Sequence, residues 1–556
     1  MTTFILRNGL FRTGDPRRPL ASSMLVEHGL IALVGDDLAN PHGVPEVDLR
    51  GRTVVPGFVD AHCHPGSVAR SGWHVRLPWT EDRQELLEFI QRYAQEHPAT
   101  EQPMLYFEYY PGAMFREALP TKELLDSVVR DRPVLCQHFG EHEHWVNSRM
   151  LELMGVTRDT PDPVPGLRMF VRDDDGEPTG LLRENVHEEF LPEVYRRLGW
   201  KPHQDLSPES IGPFLNFLRR RGVVAVFDAV IEDEQMVAAV ADLDRRGELG
   251  MYYEGALQFS TREDLPRVLK QVASLQASYG GPHVRVRTVK LFLDGTNELG
   301  TSALLPTGGH GADHLEGLAM SPEDLTGCLL ACSDADVDMH IHVVGDRGFR
   351  AACDAVAMAQ AACAESGESW RTQVTLAHCE LVDPADMGRP AELGIIINWT
   401  PHWSGGYFGD TAHPVVGAER WNRMYRFTEM AASGATIAFS SDVVTQYEAH
   451  RADPLFGMQV GATRLDPEFP LDADRWEGGL RPEPSARLST DLLLTGYTSG
   501  GARQLRLDDR LGILAAGRPA TMAVLDADPL SADPAALMYI DVAAVLFEGR
   551  VTAGSL

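Results

Sequence analysis

The chain has 556 residues, 44% hydrophobic and 23% charged, ordinary proportions for a globular protein and a length that allows more than one domain. Its formal net charge of −30 repels polyanions, which argues against nucleic acid as a partner. Met1–Asn8 lacks the basic and apolar regions of a signal peptide, and no run of about 18 apolar residues suggests a membrane span. The seven cysteines are scattered and form no Cys-x-x-Cys pair, so a reducing, cytoplasmic setting without a disulfide framework is expected. A small-molecule substrate, with neither nucleic acid nor membrane as partner, fits these features.

Residues 1–56 alternate turns with short strands at Thr3–Leu6, Met24–Glu27, Leu30–Val34 and Val47–Leu49. The run Val54–His64 then ends in His62 and His64. Residues i and i+2 of a strand share a face, so the two imidazoles project together and form half of a metal site. Spacing alone is a weak signal. Composition gives roughly 0.7 such pairs by chance, and the chain carries three, at His62/His64, His142/His144 and His340/His342.

Asp82–His97 predicts an amphipathic helix with Leu86, Leu87, Phe89, Ile90 and Tyr93 on its apolar stripe. Met104–Tyr110 is aromatic-rich. Thr121 is a candidate N-cap for a helix reaching Arg130, and Pro133–His138 reads as a strand. Residues 157–185 read as a hairpin-bearing insertion, with Glu184 in a structural ion pair. Ile211–Gly222 and Gln235–Arg246 read as helices.

Four further β-like runs carry a potential ligand toward their C-terminal ends. They are Val284–Gly295 with Lys290, Val337–Asp346 with His342, Thr372–His378, and Ala435–Asp442. A (β/α)8 barrel places its active site at that rim. Lys290 stands out for a second reason. Only four of the 50 Lys and Arg residues are lysines, so a lysine inside a strand that reads as buried implies a need for its amine. The bland alternative pairs it with a carboxylate such as Asp294. His340 reads as core or as support for a ligand, and Asp346 with Arg347 as a structural pair. Trp399, His402, Trp403, Tyr407 and Phe408 lie on one loop that either lines a pocket or packs an interface; Trp399 and His402 are its candidate substrate contacts. Gly308–His314 is glycine-rich, as lid segments are. Short strands return at Leu511–Leu514, Thr521–Leu525 and Val542–Val551.

The order His-x-His, Lys, His, His, Asp resembles the amidohydrolase superfamily. The strings Trp145–Ser148, Gly176–Gly180, Val289–Gly295, His342–Arg347 and Asp508–Asp528 resemble its YtcJ-like (amidohydrolase type 3) branch, across essentially the whole chain. The resemblance implies an α/β fold, a (β/α)8 TIM-type barrel over 57–504 with an insertion at about 65–185. It also implies a β-sandwich built from 1–56 and 505–556. It further implies that His62, His64 and Asp442 hold one divalent metal, zinc by the family's example, and His342 and His378 a second. CO2-carboxylated Lys290 would bridge them and Asp442 would act as general base. Whether the site takes one metal or two stays open, as does a homodimer.

His142 matches the histidine that precedes Trp-Val-Asn-Ser in the branch and is a candidate substrate contact. Gly140 and Glu141 stand where the branch has Asp-Gly, and Thr296–Thr301 departs from the usual Arg-Thr. Both departures bear on the substrate. The implied reaction is hydrolysis of a C–N bond in a small amide-type substrate. Decarboxylation, deamination or Fe/Mn-dependent oxidation on the same barrel is one alternative, and a non-catalytic binding protein is another.

Overall fold

Eight parallel strands form the central sheet of the computed structural model, which describes residues 3–40, 43–111, 115, 119–306, 317–406 and 409–556. In order these barrel strands are Phe58–Cys63, Val223–Asp228, Tyr252–Gln258, Val284–Phe292, Asp338–Val343, Val374–His378, Ile396–Trp399 and Thr436–Phe439. Each pairs in parallel with the next. The eighth comes back to the first through the loop after it: Asp442 N–H donates to the His62 carbonyl at 2.8 Å, and His64 N–H donates to the Val443 carbonyl at 3.1 Å. Every residue of the first, second, fifth, sixth and seventh strands is buried, as expected for a parallel sheet covered on both faces. Gly57 is required where the first strand meets the second, because a Cβ there would stand 2.4 Å from Val224.

A polar network locks the seam between the first, seventh and eighth strands. The Asp60 carboxylate accepts from Ser441 N–H at 3.0 Å and from Ser441 Oγ at 2.6 Å. Asn398 Nδ2 donates to the Ala61 carbonyl and to Gln504 Oε1, while Ser440 Oγ donates to Asn398 Oδ1. Burial pushes the Asp60 carboxyl up to about 7 against the Ser441 hydrogen bonds. Below this seam Val59, Val224, Phe227 and Ile396 pack with Leu505, Leu511 and Phe547.

Both ends of the chain build the neighbouring sheets. Phe4–Arg7, Ser23–Glu27, Leu30–Gly35 and Glu46–Asp48 form one. Leu10–Arg12, Leu20–Ala21 and Thr53–Pro56 join Met522–Leu525, Val542–Phe547 and Arg550–Gly554 in the other. Phe4, Phe11, Met24, Val54, Met522 and Leu546 share one core. The expected run Val542–Val551 is a hairpin turning at Glu548 (φ 48°) and Gly549 (φ 75°), both left-handed as a two-residue primed turn needs. Leu511–Leu514 is not a strand; Leu511 and Leu514 are buried in an irregular turn segment.

The chain divides into two compact units. Met1–Ala69, Leu206–Phe292 and Met320–Leu556 make the first, which holds the barrel and the terminal sheets; Arg70–Asp205 and Leu293–Ala319 make the second. The second unit contains a six-stranded mixed sheet in the spatial order Met169–Arg172, Pro178–Arg183, Glu143–Val146, Val134–His138, Leu105–Tyr110, Val75–Arg76. Its helix Arg83–Glu96 starts at Asp82, whose side chain accepts from Gln84 N–H. Leu86, Leu87 and Ile90 pack with Phe107 and Trp145. Thr121 precedes the helix Lys122–Asp126 but makes no side-chain cap. No helix among the described residues is long and apolar enough to cross a membrane.

Candidate metal centre

The first barrel strand delivers His62 and His64, and the residue three past the eighth strand delivers Asp442. Their ligand atoms all lie within 4.8 Å of one another. His62 Nε2 is 3.3 Å and His64 Nε2 3.2 Å from Asp442 Oδ1. Burial, with Lys290 and the neighbouring histidines adding to it, holds the His62 imidazole far below its ordinary value and therefore neutral. Imidazole nitrogens gathered around a carboxylate make a donor set suited to a borderline divalent cation.

His340 holds His62 in place. Its Nε2 lies 3.0 Å from His62 Nδ1, and its ring packs 4.8 Å from that of Phe227. With His62 Nε2 free as a lone-pair donor, Nδ1 carries the proton toward His340, the usual support for a ligating imidazole. The expectation that His340 is core or supports a ligand agrees with this.

His342 and His378 adjoin the cluster. Their ring centroids are 4.4 Å apart, and His378 Nδ1 is 3.5 Å from Asp442 Oδ2. His378 (φ 75°) and Asp442 (φ 50°) both occupy the left-handed region. Non-glycine residues rarely adopt it, and such strain concentrates at functional sites. It turns both side chains off the ends of their strands.

Lys290 is fully buried in the fourth strand, cross-strand from His340. Its Nζ has no hydrogen-bond partner among the described residues and lies 4.7 Å from the centre of the Phe292 ring. Burial lowers its pKa to about 7, against the opposing pull of Asp442. An amine in this state is a competent nucleophile toward CO2, and the geometry leaves it without the paired carboxylate of the bland alternative.

The structure places other expected residues elsewhere. Trp399 is fully buried and packs in the barrel wall, stacked on Phe427 with centroids 3.9 Å apart. His402 is also buried, between Trp403 and Phe456, and burial keeps it neutral. Among the described aromatics of this loop, Trp403 reaches the ligands, stacked on His378 at 5.2 Å and 14°; the aromatic-rich loop is the available signal, but sequence does not tell which ring turns inward. Asp346 has Arg420 as an ion partner, at 3.6 Å. In the second unit His142 Nδ1 is 2.6 Å from Glu184 Oε2, and Glu184 also accepts from Thr296 N–H and Thr301 Oγ. The expected ion pair of Glu184 is thus with His142. Gly308–His314 and Tyr407–Phe408 lie outside the described residues.

A parallel barrel whose C-terminal rim gathers histidines, an aspartate and an unpaired lysine defines a metal-dependent hydrolase. The amidohydrolase family model matches residues 45–553, and the chain belongs to that family. It is 24% identical over 568 residues to the N-substituted formamide deformylase of Arthrobacter pascens, covering 99% of this chain and 98% of that protein. It is 26% identical over 442 residues to the exoenzymes regulatory protein AepA of Pectobacterium carotovorum subsp. carotovorum, covering 78% and 92%. Among solved structures, an uncharacterized metal-dependent hydrolase from Pyrococcus horikoshii OT3 has the same fold, with a TM-score of 0.67 at 22% identity over 96% of this chain and 99% of that one.

Proposed function

We propose that this hydrolase cleaves the C–N bond of a small amide-type substrate, with His62, His64 and Asp442 holding one divalent cation, of zinc type, and His342 and His378 a second. Lys290, once carboxylated by CO2, would supply a further anionic ligand there. The observation that carries the reading is the convergence of His62, His64 and Asp442 beside an uncompensated buried amine. Similarity along the full length to an N-substituted formamide deformylase supports the substrate class.

A cation held by these residues would bring the pKa of a water there from 15.7 to about 7 and would polarise a carbonyl oxygen. The protein's own groups do the rest. His340 fixes the His62 ring. Asp442, turned out by its left-handed backbone, ligates through one carboxylate oxygen and keeps the other to accept the proton of the attacking water and return it to the departing nitrogen. Trp403 covers one face of His378 and excludes water there.

The test is a panel of N-substituted formamides, N-acyl amines and cyclic amides, followed by amine release. Turnover on at least one class, abolished by chelation and restored by metal, supports the reading. Metal-dependent loss of CO2 or oxygen consumption without amine release overturns it.

A further inference from the structure

Two arginines of the barrel unit lie together in its interior with no counter-ion among the described residues. Arg464, 1% exposed, follows the helix Pro454–Thr463 in the left-handed region (φ 59°). Arg481, 3% exposed, donates its N–H to the Arg464 carbonyl at 3.1 Å. The Arg481 guanidinium lies against the faces of Trp421 (4.4 Å) and Tyr425 (4.8 Å), and its Nη2 donates to the Trp421 carbonyl at 3.2 Å and approaches Met424 Sδ at 3.3 Å. Nε and Nη1 of both residues are buried without a partner among the described residues.

Three other charges face the pair. Glu380 acts favourably on Arg481 and Glu483 on Arg464, neither within ion-pair distance, while Arg426 opposes Arg464. Arg426 is itself paired with Glu429 and lies 3.7 Å from Glu483. Burial first and Arg481 second press the Arg464 pKa down, to about 9. Arginine does not give up its proton in proteins. Two buried guanidiniums with four partnerless N–H-bearing nitrogens among the described residues therefore require an anion, and a carboxylate or phosphate oxygen accepts charge-assisted hydrogen bonds from such donors.

We propose that Arg464 and Arg481 form a buried binding site for a small oxyanion, a carboxylate or a phosphate. The cation–π stacking of Arg481 fixes the direction of its partnerless Nε and Nη1, and Arg464 supplies the second charge. A protein of net charge −30 repels anions at long range, so selective binding would have to come from such a local site. Tyr425, which carries Arg481 on its face, donates its N–H to the carbonyl of Glu380, two residues after His378. The site is thus tied to the loop that follows the sixth barrel strand.

The experiment titrates the purified protein with phosphate and, separately, acetate, replacing chloride at constant ionic strength, and reads calorimetric heat and thermal midpoint. Saturable binding is expected for at least one anion, and which one separates phosphate from carboxylate. Arg464→Met should raise the midpoint in chloride, by removing an uncompensated buried charge, and abolish the anion-dependent rise. Arg464→Lys, which keeps the charge and loses the fork, should bind about tenfold more weakly. A wild-type midpoint that follows ionic strength alone overturns the proposal. So does saturable binding that survives Arg464→Met unchanged, since it would lie elsewhere, such as the metal centre.

Discussion

Replacing Lys290 with methionine should stabilise the metal-free protein while destroying its function. Lys290 has an ordinary pKa of 10.5 and a folded value of about 7, because its ammonium is fully buried without a partner among the described residues. At about 1.4 kcal/mol per unit, holding that ammonium charged in the fold costs about 5 kcal/mol. Methionine keeps the length of the stem and removes the charge. The unfolded chain binds the Lys290 proton up to pH 10.5 and the folded chain only up to about 7. Wild-type stability therefore rises with pH across that window, with a slope approaching 1.4 kcal/mol per unit. The advantage of Lys290→Met is largest at pH 7 and below and vanishes above 10.5. Urea unfolding of chelator-stripped protein at pH 6.5, 8 and 9.5 reads the difference between the two chains. A variant that is destabilised, or whose advantage does not change with pH, would refute the reasoning and mean that Lys290 has a partner.

Three other outcomes follow from the same geometry. Asp60→Ala leaves Ser441 N–H and Oγ buried without an acceptor; a loss of about 2–4 kcal/mol in urea unfolding is expected, and less for Asn, which keeps one acceptor oxygen. Asp442→Asn should lower kcat for amide hydrolysis about 10²–10⁴-fold, and a variant within tenfold of wild type would remove Asp442 as proton acceptor. His283, hydrogen-bonded to Glu548 and 2.6 Å from Asp244, has its pKa raised, chiefly by the Glu548 bond. Its stabilisation is complete below about pH 6.5 and is lost as pH rises through the folded value, so His283→Gln should destabilise at pH 6 and have little effect at pH 9 in the same assay.

The barrel is legible because its strands are short apolar runs and its ligands end them. His62, His64, His378 and Asp442 stand out by position alone, and Lys290 by the rarity of lysine. Helices with clear stripes, such as Arg83–Glu96 and Glu234–Arg245, fall within one or two residues of their expected ends. What sequence hides is tertiary. The left-handed backbone at His378 and Asp442 is imposed by the loops that leave those strands, and no local residue signals it. Trp399 and Trp403 stand four apart in one aromatic loop, yet one is sealed against Phe427 and the other lies on His378. Asp60 lies inside the run that reads as the first strand, and only closure of the barrel reveals its tie to Ser441. The inclusion of Leu293–Ala319 in the second unit is a long-range pairing that no periodicity announces.

The central claim is that His62, His64, Asp442, Lys290, His342 and His378 form one metal centre. Metal content by plasma mass spectrometry tests it most directly, on wild type, His62→Ala and Lys290→Ala purified without added metal. About two divalent ions per chain are expected in wild type, with loss in both variants. Wild type without metal even after reconstitution, or full metal content in both variants, would contradict the account.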